Sequence, residues 1–236
     1  MPIDGSLATW LREQHGVLSP QQVAYIVHKA ADALQQAHNQ GSIHQDINPS
    51  SFLLHANGGG PEHFDLQLAN LGTGTQIFTR FGRVYPANSQ LMYMAPEQWN
   101  GQAAPATDQY ALAVMAYELL TGQPPFSGPP AQLMDSHMRV QPAAPSTLNP
   151  RIPPSIDAVI LTALSKRPED RFPSVSAFAR ALEQALRQPE LQTQIVSVGG
   201  ASVDGSLRAT LLINSAEAAT GTLRTITLPQ GRRITI

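Results

Sequence analysis

Between Thr107 and Leu120 the chain reads Thr-Asp-Gln-Tyr-Ala-Leu-Ala-Val-Met-Ala-Tyr-Glu-Leu-Leu, and Tyr110, Ala111, Val114, Met115, Tyr117, Leu119 and Leu120 cover most of the circumference of a helix. A helix that is apolar all round has no face to give to water, so it is expected at the centre of a body with other elements wrapped round it. Gly122 supplies the stop. This one segment demands several amphipathic helices elsewhere, and the chain provides them. Residues 6–15 read as a short helix capped by Ser6, with Leu7, Trp10 and Leu11 inward and Gly16 as its end. Ser19, Pro20 and Gln22 form a capping box for a second helix whose inner face is Val23, Ile26, Val27, Ala30, Leu34 and Ala37, closed by Gly41. Gln132 to Met138 reads as a short helix. Ile156, Val159, Ile160 and Leu164 mark another, capped by Ser155, and Ser174 to Arg187 the last, with Val175, Phe178, Ala179, Leu182 and Leu186 inward.

Two short strands, Phe52–Leu54 and Phe64–Leu68, flank Asn57-Gly58-Gly59-Gly60. These glycines follow a strand and open no helix, so they read as a turn rather than a phosphate cradle. Asn70 to Gln90 is polar and without period, which predicts a surface loop closed by Tyr93-Met94-Ala95-Pro96-Glu97. Six or seven helices and one hairpin define a mainly α body.

At 236 residues and 42% apolar content, one core and a small second module are within reach. The composition shifts near Gln188. Residues 1–187 are read as the helical domain, 188–206 as a linker, and 207–236, where Leu207, Ala209, Leu211 and Ile213 alternate before Ile226, Leu228, Ile234 and Ile236, as a β-rich module. A net charge of −2 gives no electrostatic footprint for nucleic acid or an anionic membrane. The absence of cysteine removes disulfides, thiolate metal sites and a thiol nucleophile. No leader pattern and no apolar run of about 18 residues occurs, so a soluble, cytoplasmic chain is the expectation.

Five signals then fall in one order: His44-Gln45-Asp46 with Pro49, Ala69-Asn70-Leu71-Gly72, Ala95-Pro96-Glu97, Asp108-x-Tyr110 opening the apolar helix, and Arg171 late in the chain. Together they resemble the C-terminal lobe of eukaryotic-like Ser/Thr protein kinases from about Gly5 to Arg187. The resemblance implies roles. Asp46 matches the catalytic aspartate that accepts the substrate hydroxyl proton. His44 and Leu71 match packing positions that couple the catalytic loop to the metal-binding loop, and Asp108 matches a carboxylate that holds the catalytic-loop backbone. Glu97 and Arg171 match an ion pair tying the activation segment to the lobe.

The departures from that pattern concern charge. Asn48 stands where a lysine meets the γ-phosphate. Ser51 and Asn70 stand at the two magnesium-ligand positions, replacing an amide by a hydroxyl and a carboxylate by a neutral carbonyl oxygen. Each lost electrostatic contact commonly costs on the order of 10² to 10³ in rate. Gln45 replaces the arginine that pairs with a phosphorylated activation loop, so Thr73, Thr75, Thr79 or Ser89 would lack that receptor. The glycine-rich loop, strand lysine and partner glutamate of the N-terminal lobe are missing from this chain. It is therefore expected to be truncated, either naturally or because Met1 is an internal start.

Through Glu217-Ala218-Ala219-x-Gly221 and Ile226-x-Leu228-Pro229-x-Gly231-x-x-Ile234-x-Ile236, the tail resembles the opening strands of the C-terminal domain of J-domain co-chaperones, ending in mid-strand. The reading that results is a pseudokinase-like module in regulation or protein binding, without a confident metal site and with no cofactor required. The alternative is a piece of an active kinase using ATP and magnesium on a protein substrate. A third is a chaperone-associated adaptor.

Overall fold

The computed structural model describes residues 5–13, 18–56, 64–69 and 91–187, together with four short strands beyond them. The chain divides into two compact units, Met1–Arg187 and Gln188–Ile236. In the first, the described helices are α1 (Leu7–Glu13), α2 (Pro20–Asn39), α3 (Pro105–Thr121), α4 (Pro130–Arg139), α5 (Pro145–Leu148), α6 (Pro154–Ala163) and α7 (Val175–Arg187). Short 3-10 turns lie at Pro49–Ser51, Pro96–Asn100 and Pro168–Asp170.

Helix α3 is the centre that its composition requires: every residue from Thr107 to Tyr117 is buried. Gly122 ends it in the left-handed conformation at φ 79°, where a side chain would be strained. Helix α2 presents Val23, Ile26, Val27, Ala30 and Leu34 to α3 and α7. At its start Ser19 Oγ accepts the Gln22 amide and Gln22 Oε1 accepts the Ser19 amide, a complete capping box. Helices α6 and α7 pack on each other and on α3 through Ile156, Ile160, Phe178 and Leu182.

Above the helices, β1 (Gly5–Ser6), β2 (Phe52–Ala56) and β3 (Phe64–Leu68) form an antiparallel sheet in that order. Phe52 lies opposite Leu68 and Leu54 opposite Leu66, so Phe52, Leu54, Phe64 and Leu66 face the core. Leu53, His55, Asp65 and Gln67 share the other, exposed face. Phe64 is locked in place by the Trp10 and Tyr25 rings, 5.4 and 5.6 Å away.

The structure corrects some local expectations. Strand β1 and helix α5 were not anticipated, since two and four residues carry no readable period. Ser155 is not a cap. Pro153 and Pro154 open α6, a proline having no amide to satisfy, and Ser155 Oγ donates instead to Ala185 O of α7 at 2.8 Å. The glycine turn at 57–60, the loop at 70–90, and with them Asn70 and Leu71, lie outside the described residues.

In the second unit, β4 (Gln194–Val196) pairs antiparallel with β5 (Leu211–Ile213), and β6 (Thr225–Thr227) with β7 (Arg233–Thr235). The span 188–206, expected as linker, thus contains a strand. Among the described residues no helix is long and apolar enough to cross a membrane.

Candidate functional site

The loop from Ile43 to Ser51 joins α2 to β2, and its shape is set by Asp108 in the first turn of α3. Asp108 is fully buried. Its Oδ2 accepts the His44 amide at 2.8 Å and its Oδ1 the Gln45 amide at 2.7 Å. His38 Nε2, from the last turn of α2, approaches the same Oδ2 at 2.7 Å. A buried carboxylate with two backbone donors is a strong local constraint, and it holds Gln45 at φ 68°. That left-handed conformation costs a non-glycine residue about 1–2 kcal/mol. The Gln45 carbonyl in turn accepts Gln98 Nε2 at 2.8 Å, while Gln98 Oε1 accepts the Ala95 amide at 2.9 Å, which joins the loop to the Ala95-Pro96-Glu97 segment.

His44 is buried, its ring bridging two places. Nε2 lies 2.8 Å from Ala69 O, at the end of β3, and Nδ1 lies 3.3 Å from the Asp46 amide. A carbonyl can only accept and an amide only donate, so Nε2 is the donor to Ala69 O and Nδ1 the acceptor of the Asp46 amide. The histidine therefore packs and hydrogen-bonds between the loop and the strand leading to Asn70.

Asp46 stands partly exposed between these anchors. Asn48 Nδ2 donates to Asp46 O at 3.1 Å and Asp46 Oδ1 at 3.3 Å, and Asn48 Oδ1 accepts the Ser50 amide at 2.9 Å, capping the turn at Pro49–Ser51. Ser51 is buried. Its hydroxyl donates to Asp46 O at 2.6 Å and accepts the Asn48 amide at 3.3 Å. Both side chains close the loop upon itself.

Glu97 and Arg171 meet in a bidentate pair at 2.7 and 2.8 Å. The five guanidinium donors all find acceptors: the two Glu97 oxygens and the carbonyls of Ser165, Ala106 and Lys166. Thr107 Oγ1 adds a donor to Glu97 Oε1 at 2.9 Å. The plane of Arg171 also lies 4.8 Å from the Tyr110 ring.

Thus the structure brings His44, Asp46, Asn48 and Ser51 together over Asp108, and places Glu97 with Arg171 at the base. Among the described residues no group of three His, Asp or Glu is placed to hold a metal ion. Sequence reasoning missed His38 and Gln98, which reach Asp108 and the Gln45 carbonyl across 70 and 53 residues, and Thr107, which donates to Glu97 ten residues back. It also passed over Leu53, an apolar side chain 38% exposed on the open sheet face directly after the loop. The alternation of strand β2 was the signal that could have found it.

A helical lobe built round one buried helix, with a small antiparallel sheet and an aspartate-bearing loop pinned to that helix, is the class the geometry defines. Residues 2–187 match the family model for the protein kinase domain, and the chain belongs to that family. It is 37% identical over 193 residues to serine/threonine-protein kinase Pkn1 of Myxococcus xanthus, a match covering 79% of this chain and 27% of that protein. It is 35% identical over 185 residues to serine/threonine-protein kinase PknE of Mycobacterium tuberculosis, covering 76% and 31%. The crystal structure of the Mycobacterium tuberculosis PknI kinase domain superposes with a TM-score of 0.57 at 29% identity, over 78% of this chain and 62% of that one. The chain therefore spans between about a quarter and two fifths of the length of the curated relatives it matches.

Proposed function

We propose that this chain is a pseudokinase-like lobe acting in regulation or protein binding, with phosphoryl transfer impaired. The observation that carries the reading is the engagement of Asn48 and Ser51 inside their own loop. Transfer of a phosphoryl group depends on cations and metal ligands aimed at the phosphates. At position 48 a neutral amide caps a turn, and at position 51 a short hydroxyl is buried against a carbonyl. Neither side chain fits the family's contacts to phosphate and magnesium, and Asn70 supplies a neutral oxygen in place of an anionic one.

A second reading, part of an active ATP-dependent Ser/Thr protein kinase, is favoured by a different observation. The frame that would present Asp46 is complete: Asp108 holds the backbone on one side and His44 ties it to β3 on the other.

Melting temperature measured with millimolar ATP, with and without magnesium, separates the two. No magnesium-dependent rise is expected, because a ligand that does not bind the folded state cannot stabilise it. A clear rise, together with phosphate incorporation into a protein acceptor that Asp46→Ala abolishes, would overturn the pseudokinase reading.

A further inference from the structure

The peptide unit between Gln45 and Asp46 is gripped at both ends. Its carbonyl, Gln45 O, accepts Gln98 Nε2 at 2.8 Å, and its N–H, on Asp46, donates to His44 Nδ1 at 3.3 Å. The two side chains that hold it also reach further. Gln98 Oε1 accepts the Ala95 amide at 2.9 Å, at the head of the Pro96–Asn100 turn, and His44 Nε2 donates to Ala69 O at 2.8 Å, just past β3. A carboxamide carries a donor and an acceptor on neighbouring atoms, so one side chain can bridge two backbones. Gln98 does so at 8% exposure. A single peptide unit thus joins the Pro96–Asn100 turn to the end of β3.

That unit is held in a position its own backbone disfavours. Gln45, at φ 68°, is the only non-glycine residue with positive φ among the described residues, and this region is crowded for any residue that carries a Cβ. The Gln45 side chain is exposed, so the restraint comes from its backbone partners. Its amide is fixed on Asp108 Oδ1 at 2.7 Å. Rotation of φ at Gln45 toward the ordinary negative range therefore leaves that amide in place and swings the following peptide, carrying Asp46 with it.

We propose that the Gln45–Asp46 peptide is a two-position joint and that Gln98 is the positioning residue that keeps it strained, so that the placement of the Pro96–Asn100 turn sets the direction of Asp46. While the turn is docked, Gln98 holds the carbonyl. When the turn is drawn away, the carbonyl loses its donor, Gln45 relaxes, and the bond from the Asp46 amide to His44 breaks. The Asp46 carboxylate then leaves its place 3.3 Å from Asn48 Nδ2. Two sites become coupled when both bias one element that has two discrete arrangements. This coupling goes beyond the proposed function and holds under either reading of it, because it concerns where Asp46 points.

Amide hydrogen exchange, followed by NMR on the intact chain, tests the joint in four proteins: the natural chain, Gln98→Met, Gln45→Gly and the double variant. Glycine adopts a left-handed φ without steric penalty, so Gln45→Gly removes the strain and keeps the backbone hydrogen bonds. Gln98→Met is expected to speed exchange at the Asp46 amide by about tenfold or more in the natural background, and by less than about threefold in the Gln45→Gly background, where nothing drives the joint to move. Exchange at the Ala95 amide should rise equally in both backgrounds, since its acceptor is gone in both. Should Gln98→Met lose the protected amides of α2 that mark the folded state, Gln98→Asn, one methylene too short to span both backbones, takes its place with the same expectations. No rise at Asp46, or the same rise in both backgrounds, would overturn the proposal, the second result leaving Gln98 with a packing role alone.

Discussion

Arg171 and Glu97, 74 residues apart in sequence, share two parallel hydrogen bonds in a site where the arginine side chain has no exposure and the glutamate 7%. The pair connects the Ala95-Pro96-Glu97 segment to the turn between α6 and α7 and passes directly beneath the first turn of α3. Its worth lies less in the attraction than in what either half would suffer alone. A charge taken out of water and then deprived of its partner is strongly unfavourable.

Glu97→Ala should therefore lower the unfolding free energy by about 3–5 kcal/mol. That is a large share of the roughly 5–15 kcal/mol typical of a domain. Urea denaturation followed by circular dichroism measures it. A loss under about 1 kcal/mol, the scale of an exposed ion pair, would show that the site is open to water.

Asp108→Asn tests how the loop is held. The carboxylate accepts the His44 and Gln45 amides on separate oxygens, and an amide group keeps one acceptor while turning a donor toward the other N–H. Each backbone amide left without an acceptor costs about 1–3 kcal/mol. Faster hydrogen exchange is expected at His44 and Gln45, along with relaxation of Gln45 from its φ of 68°. Unchanged exchange at those two amides would contradict this account.

His137 sets a pH dependence of stability. Its ring has no exposure, Tyr110 Oη lies 3.0 Å from Nδ1, and burial followed by the Lys166 charge lowers its pKa to about 4. An unfolded chain takes up the proton near 6.5, so between about 6.5 and 4 the unfolded state binds more protons than the folded one. Stability thus rises with pH across that window and is lost as pH falls through it, by an upper bound of about 3 kcal/mol. Urea midpoints from pH 4.5 to 7 should slope upward in the natural chain and less steeply in His137→Phe. Parallel slopes in the two proteins would assign the effect to other groups.

Local chemistry was legible in the chain. The capping box at Ser19 and Gln22, the glycine at 122 and the two-residue alternation of Phe64–Leu68 are decided by groups within four residues of one another, and they fold as read. Ser155 misled because a cap and an inter-helix donor look the same until its neighbour, Ala185 O, is brought near by packing of α6 on α7. His38 and Gln98 were invisible for the same reason: each acts on an atom more than fifty residues away.

By itself the sequence determined that a wholly apolar helix at 107–120 must be central, and that the loop from Ile43 to Leu54 carries one carboxylate, Asp46, and no lysine or arginine. A missing charge is a fact of composition and needs no coordinates. Only the tertiary structure decided what the replacements do. Asn48 and Ser51 turn inward to close the loop, and Asp108 with His38 fixes the backbone on which Asp46 stands. Short polar side chains satisfy the nearest backbone groups, and which groups are nearest is set by the fold.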